Sequence, residues 1–415
     1  MLLYSQYTYS MIDPTYRFWS PYEDKLNGGP YSWHILDCDQ RRWVTVTGSP
    51  KAVPRDPDAI KILRRHIDQL DPGVHKITVS DEGDIVSISS DPNDEAAWFV
   101  HYPRYDPRDV PNGHTTLMRS QMEEVDRVGH SVDMVRYEDG PGKSQLGIFK
   151  YSMIHVHLDR IWNELQIMMA LPEHELIVPF GRIVLDDVEP RILGFTVPFI
   201  PGGTFEENKT RPFRFAWLQQ LTSLVDELHF KFGIYHQDIA GRNIVVDPVT
   251  EKIRLFDFEF AAKIGSPGVD IYRNDIDQVI FTIYEILTLD VHFRDMASWD
   301  QDVKAVEEMA GWDVKIPIEP GNGGIKEIRS FLAEWAAGRR SKAQNGPVNA
   351  TSQLDWPGFP PQTPVPYTSG DGTFTYNAEG GVRHVKKAKN AILAGQHVVR
   401  WERPSTKSLL ANKEN

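Results

Sequence analysis

Residues 235–247, YHQDIAGRNIVVD, place three polar side chains within six positions of an otherwise apolar stretch. These are the carboxylate of Asp238, the guanidinium of Arg242 and the carboxamide of Asn243. Apolar residues on both sides predict that the loop is half buried, and buried polar groups need hydrogen-bond partners. The three side chains therefore either satisfy one another as a structural network or bind a charged ligand.

A second acidic motif, LFDFEF, follows at a spacing typical of a site for a metal and a nucleotide. Asn243 lies five positions after Asp238, and Asp257 lies fourteen positions after Asn243. Asn243 and Asp257 offer hard oxygen ligands for Mg²⁺, which keeps part of its water shell and bridges phosphates. In such a site Asp238 accepts or orients the proton of a hydroxyl group, and Arg242 neutralises charge on the transferring phosphoryl group.

Composition limits the class of protein and its setting. With 415 residues, 40% hydrophobic and 25% charged, the chain has the composition of a soluble globular protein. A net charge of −13 argues against general nucleic-acid binding, which needs a basic surface. The single cysteine, Cys38, excludes an internal disulfide. Without a secretory pattern or an apolar run of membrane length, we expect an intracellular protein, cytoplasmic or nuclear, with no membrane partner.

The periodicity of apolar residues changes once along the chain. Strand patterns dominate residues 116–200, as in EEVDRVGH, SVDMVRY, QLGIFKY, LIVPFGRIVL and RILGFTVPFI, with one helix around DRIWNELQIMMAL. Helical patterns dominate residues 201–342, as in FRFAWLQQLTSLVDELHFKFG and NDIDQVIFTIYEILTL. The order predicts an α+β, bilobal fold, with a β-rich N-lobe, a helical C-lobe and a cleft where the lobes meet.

Two further segments flank this region. Residues 1–115 predict a small α+β extension, with a helix at AIKILRRHIDQL and a β-hairpin at HKITVSDEGDIVSISS, and no motif indicates its role. Residues 343–415 predict a mobile linker rich in Pro, Gly and Ser up to about residue 375, followed by a basic tail. The stretch VRHVKKAKNAILAGQHVVRWERP within the tail is compatible with an amphipathic helix.

The two motifs resemble those of protein kinases. HQDIAGRN is similar to the catalytic loop H-R-D-x-x-x-x-N, and DFE stands where kinases carry D-F-G. The resemblance covers roughly residues 118–340 and implies a protein-kinase-like fold. HQDIAGRN, DFEFA and VIFTIYEIL together resemble a group of fungal proteins with a protein-kinase domain.

This resemblance implies roles for further residues, with ATP and Mg²⁺ as cofactors. Lys150 in LGIFKY resembles the lysine that holds the α- and β-phosphates, and Glu164 in IWNELQIMMAL resembles its helical partner. FIPGGTFEEN resembles the segment that contacts adenine, through the carbonyl of Pro198 and the N–H of Ile200. Asp275 resembles the buried aspartate that begins a helix and braces the catalytic loop.

The chain departs from the kinase pattern at several positions. The loop that covers the phosphates, EEVDRVGHSVDMV, has one glycine, Gly129, and Ile148 replaces a small residue above the adenine ring. Gln237 replaces the arginine that binds a phosphorylated activation loop, and residues 258–274 are too few for a long one. Glu259 replaces the glycine of D-F-G. We therefore expect looser nucleotide binding and no control by activation-loop phosphorylation.

Three functions agree with these residues. The preferred one is a Mg-ATP-dependent phosphotransferase that acts on protein hydroxyl groups, with Lys150, Glu164, Asp238 and Arg242 in catalysis. A small-molecule phosphotransferase similar to choline or aminoglycoside kinases predicts an acidic pocket beside Asp238. A pseudokinase scaffold predicts weak nucleotide binding without turnover.

Overall fold

The computed structural model describes residues 12–91, 94, 102–110, 113–154, 157–320, 323–344, 350–361, 364–369, 372–377, 390–396, 398 and 401–413. The chain divides into two compact units. Unit 1 comprises Met1–Ile161, Gly181–Val197 and Phe359–Asn415, and unit 2 comprises Trp162–Phe180 and Pro198–Gly358. Unit 1 therefore joins three parts of the chain that the sequence analysis treats separately.

The first sheet of unit 1 carries the N-terminal extension. Its five strands, which lie side by side in chain order, are β1 (Phe18–Lys25), β2 (Tyr31–Asp37), β3 (Arg42–Gly48), β4 (Lys76–Val79) and β5 (Ile85–Ser89). Strands β3 and β4 pair in parallel, which requires a crossover, and helix α1 (Asp56–His66) supplies it. Val46, Ile77 and Leu63 belong to the buried core of this sheet and helix. The helix and the hairpin expected within residues 1–115 are both present.

The second sheet of unit 1 contains the strands expected for the N-lobe. They are β6 (Thr115–Met118), β7 (Glu123–Gly129), β8 (Val132–Glu138), β9 (Ser144–Tyr151), β10 (Arg182–Leu185) and β11 (Ile192–Pro198), in the order β6-β10-β11-β9-β8-β7. Val135, Phe149 and Leu193 lie in its buried core. Helix α2 (Leu158–Ala170) follows β9, at the place that the apolar spacing predicts.

Unit 2 is mainly helical. Its helices are α3 (Phe215–Glu227), α4 (Asp275–Thr288), α5 (Val303–Glu307) and α6 (Ile325–Gln344). All but one residue of α4 is buried, so this helix lies inside the unit rather than on its surface. The side chain of Asn274 caps α4 by accepting the N–H groups of Ile276 and Asp277. In the part of the chain that the structure describes, no helix is both long and apolar enough to cross a membrane.

Two small antiparallel strand pairs in unit 2 hold the loops that carry the motifs. One pairs β12 (Ile234–Tyr235) with β15 (Ala262–Lys263), and the other pairs β13 (Ile244–Val246) with β14 (Ile253–Leu255). The strand expected at LIVPFGRIVL begins only at Arg182. Its first half instead bonds to the β13–β14 hairpin, where the N–H of Val178 donates to the carbonyl of Leu255.

The C-terminal region contains more structure than its composition predicts. Within the expected linker, β16 (Pro364–Ser369) pairs with β17 (Gly372–Asn377), and the N–H groups of Thr351 and Leu354 donate to carbonyls of Phe230 and Phe232. Backbone hydrogen bonds can order a segment with few apolar side chains. In the basic stretch, residues 390–393 are helical and residues 381–389 lie outside the described ones. A final helix, α7 (Thr406–Lys413), was not predicted.

Candidate active site

Asp275, the first residue of α4, anchors the backbone of the loop that precedes Asp238. Its carboxylate is buried and accepts the N–H groups of His236 at 2.8 Å and Gln237 at 2.7 Å. Nε2 of His229 lies 2.9 Å from the same carboxylate. Gln237 has a left-handed backbone (φ 65°), a conformation that surrounding contacts must hold in a residue with a Cβ. The bracing contact expected for Asp275 is confirmed.

His236 joins the two motif loops. Its Nδ1 accepts the N–H of Asp238 at 3.2 Å, so the proton belongs to Nε2, which donates to the carbonyl of Phe256 at 3.1 Å. The ring meets that of Phe258 edge to face, with centroids 4.6 Å apart. Burial lowers the pKa of His236 because desolvation disfavours the charged imidazolium. His236 is therefore a packed residue whose ring connects the backbones of the two loops.

The carboxylate of Asp238 is surrounded by donors from three side chains. Nη2 of Arg242 lies 2.7 Å from each of its oxygens. Nδ2 of Asn243 lies 2.7 Å from Oδ2, and Nη1 of Arg273 lies 3.6 Å from Oδ1. Only 8% of the Asp238 side chain is exposed, and a carboxylate removed from water needs such donors. Asp238 is therefore held in one orientation by these donors.

Arg242 bonds to Asp238 through one nitrogen only, and about half of its side chain is exposed. Its contacts with Asp238 all use Nη2, while 49% of the side chain is exposed. Burial lowers the pKa of Arg242, but attraction and hydrogen bonding to Asp238, with attraction to Asp257, outweigh burial and leave the pKa above its ordinary value. The guanidinium is thus a permanent cation with further N–H groups that Asp238 does not use.

The β13–β14 hairpin brings the two candidate metal ligands to one end. The N–H of Phe256 donates to the carbonyl of Asn243 at 3.1 Å, so Asn243 lies opposite Phe256 and one position from Asp257. Asp257 has a left-handed backbone (φ 73°, ψ 62°) and begins a 3₁₀ turn at Phe258–Phe260. Strand register, rather than nearness in sequence, therefore places these two residues together.

Two neighbouring residues of α2 hold that turn. The buried carboxylate of Glu164 accepts the N–H of Phe258 through Oε1 at 3.1 Å. Nδ2 of Asn163 donates to the carbonyl of Ala261 at 2.9 Å. The structure thus gives Glu164 a contact with the loop backbone that the sequence did not predict. Its pairing with Lys150 stays a prediction.

Lys150 and Gly129 lie in one cross-strand row of the second sheet. Val132, the first residue of β8, pairs with Gly129 on β7 and with Lys150 on β9. Lys150 is 9% exposed, so most of its side chain is covered. The register places the candidate phosphate-binding lysine beside the turn that the sequence expects to cover the phosphates.

The segment expected to contact adenine approaches the strand that follows Asn243 in unit 2. Pro198 ends β11, and Ile200 follows in an irregular, half-buried stretch. At Gly202 a Cβ atom would lie 1.6 Å from the carbonyl oxygen of Val246, so only glycine fits there. Because Val246 lies three positions after Asn243, this close approach links the candidate adenine and metal segments.

Asn243 and Asp257 fit a magnesium ion that is shared with phosphates. Both amide hydrogens of Asn243 bind Asp238, which leaves the amide oxygen as a possible metal ligand. Among the residues that the structure describes, no group of three or more His, Cys, Asp or Glu side chains is placed to hold a metal. Mg²⁺ is often held by one or two side chains together with phosphate oxygens and water, so a pair of oxygen ligands is compatible with this ion.

Two arginines near the loop were missed by sequence reasoning. Arg273, beside Asp238, lies with its guanidinium 4.0 Å from the ring centroid of Phe260. Arg294 donates to the carbonyl of Ile239 at 2.9 Å and pairs with Glu285 at 2.7 Å. Neither belongs to a motif. The one available signal was Glu285, an acidic residue within the apolar pattern of α4, because a buried carboxylate needs a cation.

Among known proteins, a kinase subunit is similar to part of this chain. Casein kinase II subunit alpha' of Saccharomyces cerevisiae (strain ATCC 204508 / S288c) is 30% identical over 126 residues, which is 28% of this chain and 34% of that protein. The chain thus spans about a third of the length of the curated relative it matches. No protein-family model matches the chain. The similarity and the order of sheets and helices support a protein-kinase-like fold and, at a coarse level, a phosphotransferase.

Proposed function

We propose that this protein transfers the γ-phosphoryl group of Mg-ATP to a hydroxyl group of a protein. The observation that supports this most is the position of the Asp238 carboxylate. It is fixed by Asn243 and Arg242 on a loop whose strand register also brings Asn243 next to Asp257. A base, a cation and two oxygen ligands within one short region are what phosphoryl transfer requires, which supports these roles.

Asp238 serves as the proton acceptor. The acceptor hydroxyl donates a hydrogen bond to this carboxylate and gives up its proton as its oxygen bonds to the γ-phosphorus. The bond between that phosphorus and the bridging oxygen breaks, and ADP leaves. Catalysis of this kind depends on position and charge, so loss of one such group costs about 3–4 kcal/mol of barrier.

Charge on the phosphates is balanced from several positions. Arg242 offers its free N–H groups to the transferring phosphoryl group, and Asn243 and Asp257 hold magnesium. When bound, Mg²⁺ neutralises charge on the phosphate oxygens. Lys150 positions the α- and β-phosphates, with Glu164 as its partner. The backbone groups of Pro198 and Ile200 bind adenine, and Gly129 lies in the turn over the phosphates.

The side chains around Asp238 favour a protein acceptor over an amino alcohol. A small-molecule enzyme of the choline or aminoglycoside type needs an acidic pocket there, whereas Asp238 has Arg242 and Arg273 as its neighbours. Directly before Arg273, Ile271 and Tyr272 are 78% and 56% exposed. Exposed apolar side chains next in sequence to an arginine that contacts Asp238 are compatible with an extended polypeptide as acceptor.

The test is a thermal-shift titration with ATP, with and without Mg²⁺, followed by transfer of labelled γ-phosphate to a protein mixture and to amino alcohols. Ligand binding to the native state raises the apparent melting temperature. We expect a magnesium-dependent shift that Asp257→Ala abolishes and Asp295→Ala, an exposed carboxylate of unit 2, leaves intact. Label should appear in protein.

Other outcomes separate the alternatives. No shift at millimolar ATP from folded protein would reject the proposed function. A shift without transfer to any acceptor would identify a nucleotide-binding scaffold, and label in an amino alcohol alone would identify a small-molecule kinase.

A further inference from the structure

The C-terminal residues 401–406, WERPST, are embedded in unit 1, and we call them the tail segment. They contact the turn between β2 and β3 of the first sheet and the β7–β8 hairpin of the second. The hydrogen bonds of the tail segment to these turns and strands join residues more than 250 positions apart in sequence, so no local pattern predicts them. The proposed function uses none of these residues.

Arg403 is the central residue of the tail segment. Its buried guanidinium donates through Nη1 to Oδ1 of Asp133 at 3.0 Å and lies 2.8 Å from the carboxylate of Glu124. Nε donates to the carbonyl of Asp39 at 2.7 Å, and the backbone N–H of Arg403 donates to the carbonyl of Gln40. One side chain therefore contacts both sheets of unit 1.

Arg41 completes the same cluster from the N-terminal extension. Nη1 of Arg41 donates to Oδ2 of Asp133 at 3.0 Å and Nη2 to Glu124 at 2.9 Å, while Nε donates to the carbonyl of Trp401 at 3.1 Å. The fully buried carboxylate of Asp133 thus receives one arginine on each oxygen. Burial raises the pKa of Glu124, but Arg41 and Arg403 outweigh it and lower the pKa to about 2.

A second cluster holds the end of the tail segment. Nη1 of Arg127 donates to Oδ1 of Asp39 at 2.7 Å and to the hydroxyl of Thr406 at 2.8 Å, and Nη2 donates to the carbonyl of Pro404 at 2.8 Å. Asp39 also accepts the backbone N–H of Thr406 at 3.0 Å, at the start of α7. The tail segment is therefore held at both clusters by arginine–carboxylate pairs.

Trp401 adds an aromatic anchor at the other end. Its ring stacks on Tyr102 with centroids 6.4 Å apart and lies 5.3 Å from the ring of Tyr151. The guanidinium groups of Arg41 and Arg119 lie 5.6 Å and 5.8 Å from the Trp401 ring. The tail segment thus offers an aromatic ring at Trp401, a buried guanidinium at Arg403 and a hydrogen-bonded hydroxyl at Thr406. Aromatic residues and arginines of this kind dominate the binding energy where peptides bind specifically.

The residues that receive the tail segment stand on both strands beside the candidate phosphate turn. Glu124 and Arg127 belong to β7, and Asp133 belongs to β8, directly after Val132. Val132 pairs with Gly129 on one side and with Lys150 on the other. The position of this hairpin therefore depends on carboxylates that are neutralised in part by Arg403.

We propose that the tail segment is a peptide ligand bound within its own chain, and that its docking, with Arg403 as a positioning residue, sets the affinity of the nucleotide site through the β7–β8 hairpin. The nucleotide part rests on the proposed function. The docking part does not, because it concerns only the contacts within unit 1.

The test separates the tail from the folded full chain. A protease recognition sequence is inserted between Gly395 and Gln396, where residues 393–396 are exposed, and the native protein is cut and freed of the tail peptide. We expect faster amide hydrogen exchange in residues 123–138. We also expect ATP affinity to fall about tenfold, within the range of coupled sites, while kcat at saturating ATP changes less than about twofold. A synthetic peptide of residues 396–413 should restore both properties.

Full-length variants provide a second route. Arg403→Met should reproduce the effect of tail removal, Arg403→Lys should restore part of it by keeping the charge, and Lys407→Met, an exposed position in the same region, should change nothing. A purely structural role would alter exchange throughout unit 1 and lower kcat and ATP affinity together.

The readouts distinguish the two proposals. Faster exchange of the hairpin in a protein that binds no ATP would uphold the docking and reject the proposed function. Unchanged hairpin exchange after tail removal or Arg403→Met would overturn this inference, whatever the ATP affinity. Faster hairpin exchange with unchanged ATP affinity would overturn the coupling.

Discussion

Both amide hydrogens of Asn243 bind Asp238, one at its backbone carbonyl (2.8 Å) and one at its Oδ2 (2.7 Å). One side chain thus fixes the backbone and the carboxylate of the candidate proton acceptor. The amide oxygen remains for the candidate metal. Asn243 therefore links the acceptor side of the proposed site to its metal side.

Replacing Asn243 by Ala should affect both sides. The Mg²⁺ concentration for half-maximal activity should rise about tenfold or more, as when groups that hold a metal site are removed. Stability should fall by about 1–3 kcal/mol, because the buried carbonyl and carboxylate of Asp238 lose their donor. Magnesium titrations of activity and urea denaturation measure the two effects. An unchanged magnesium requirement in a folded variant would contradict the metal role.

Asp275→Asn should destabilise the protein although the change is isosteric. An amide offers one acceptor oxygen where the carboxylate now accepts two backbone N–H groups and faces His229. We expect a loss of about 1.5–3 kcal/mol in the free energy of unfolding, the range for hydrogen bonds to charged groups.

Asp277→Asn is the matched control on the same helix. Asp277 pairs with Arg340 near the surface, with 34% and 38% of the side chains exposed, and such pairs contribute about 0–1 kcal/mol. Urea denaturation compares the two variants. An equal loss of unfolding free energy in both variants would show that Asp275 does not stabilise the loop more than a surface carboxylate does.

Gly129→Ala should separate ligand binding from folding. A Cβ atom at Gly129 would meet its nearest neighbour at 3.8 Å, an ordinary contact, and its φ is not left-handed. The free energy of unfolding should therefore change by less than about 1 kcal/mol. If phosphates approach this turn, ATP affinity should fall about tenfold, the equivalent of roughly 1.4 kcal/mol.

Gly194→Ala provides the opposite pattern in the same sheet. There a Cβ would lie 2.0 Å from the carbonyl oxygen of Lys150, so the backbone must shift and stability should fall. Thermal melts and ATP titrations of both variants give the comparison. An unchanged ATP affinity for Gly129→Ala would exclude Gly129 from the nucleotide site.

Local spacing made much of the candidate site predictable. The order of HQDIAGRN, LFDFEF and the helix that begins at Asp275 indicated which residues meet, because short hairpins leave the chain few routes between them. The resemblance to kinases predicted that Asp275 braces the loop, and its carboxylate accepts the backbone N–H groups of His236 and Gln237 as expected.

Contacts between distant segments could not be predicted in the same manner. Arg41 and Arg403 share the carboxylate of Asp133, yet each looks in the sequence like an ordinary surface charge. A single sequence does not show which charges are buried, since pairing depends on how sheets pack rather than on spacing. The segment expected to be a mobile linker contains paired strands and backbone hydrogen bonds instead. Its composition did not predict them, because backbone hydrogen bonds do not depend on side-chain type.

The lowered pKa of His236 predicts a specific dependence of stability on pH. Burial disfavours its imidazolium, so the folded-state pKa lies below the unfolded-state value of 6.5. Between these two pKa values the unfolded state binds more protons, and stability therefore rises with pH. The contribution is complete above pH 6.5 and is lost as the pH falls toward and through the folded-state pKa. The slope from this one group cannot exceed about 1.4 kcal/mol per pH unit.

His236→Gln isolates this contribution, because glutamine can still donate to the carbonyl of Phe256 but does not titrate. Other histidines with lowered pKa, His130 and His157, remain in both proteins and cancel in the comparison. We expect the variant to be less stable than the wild type at pH 7.5 and the difference to shrink as the pH falls to 5. Urea denaturation at each pH measures it. A difference that stays constant or grows would mean that His236 is not held neutral between the two loops.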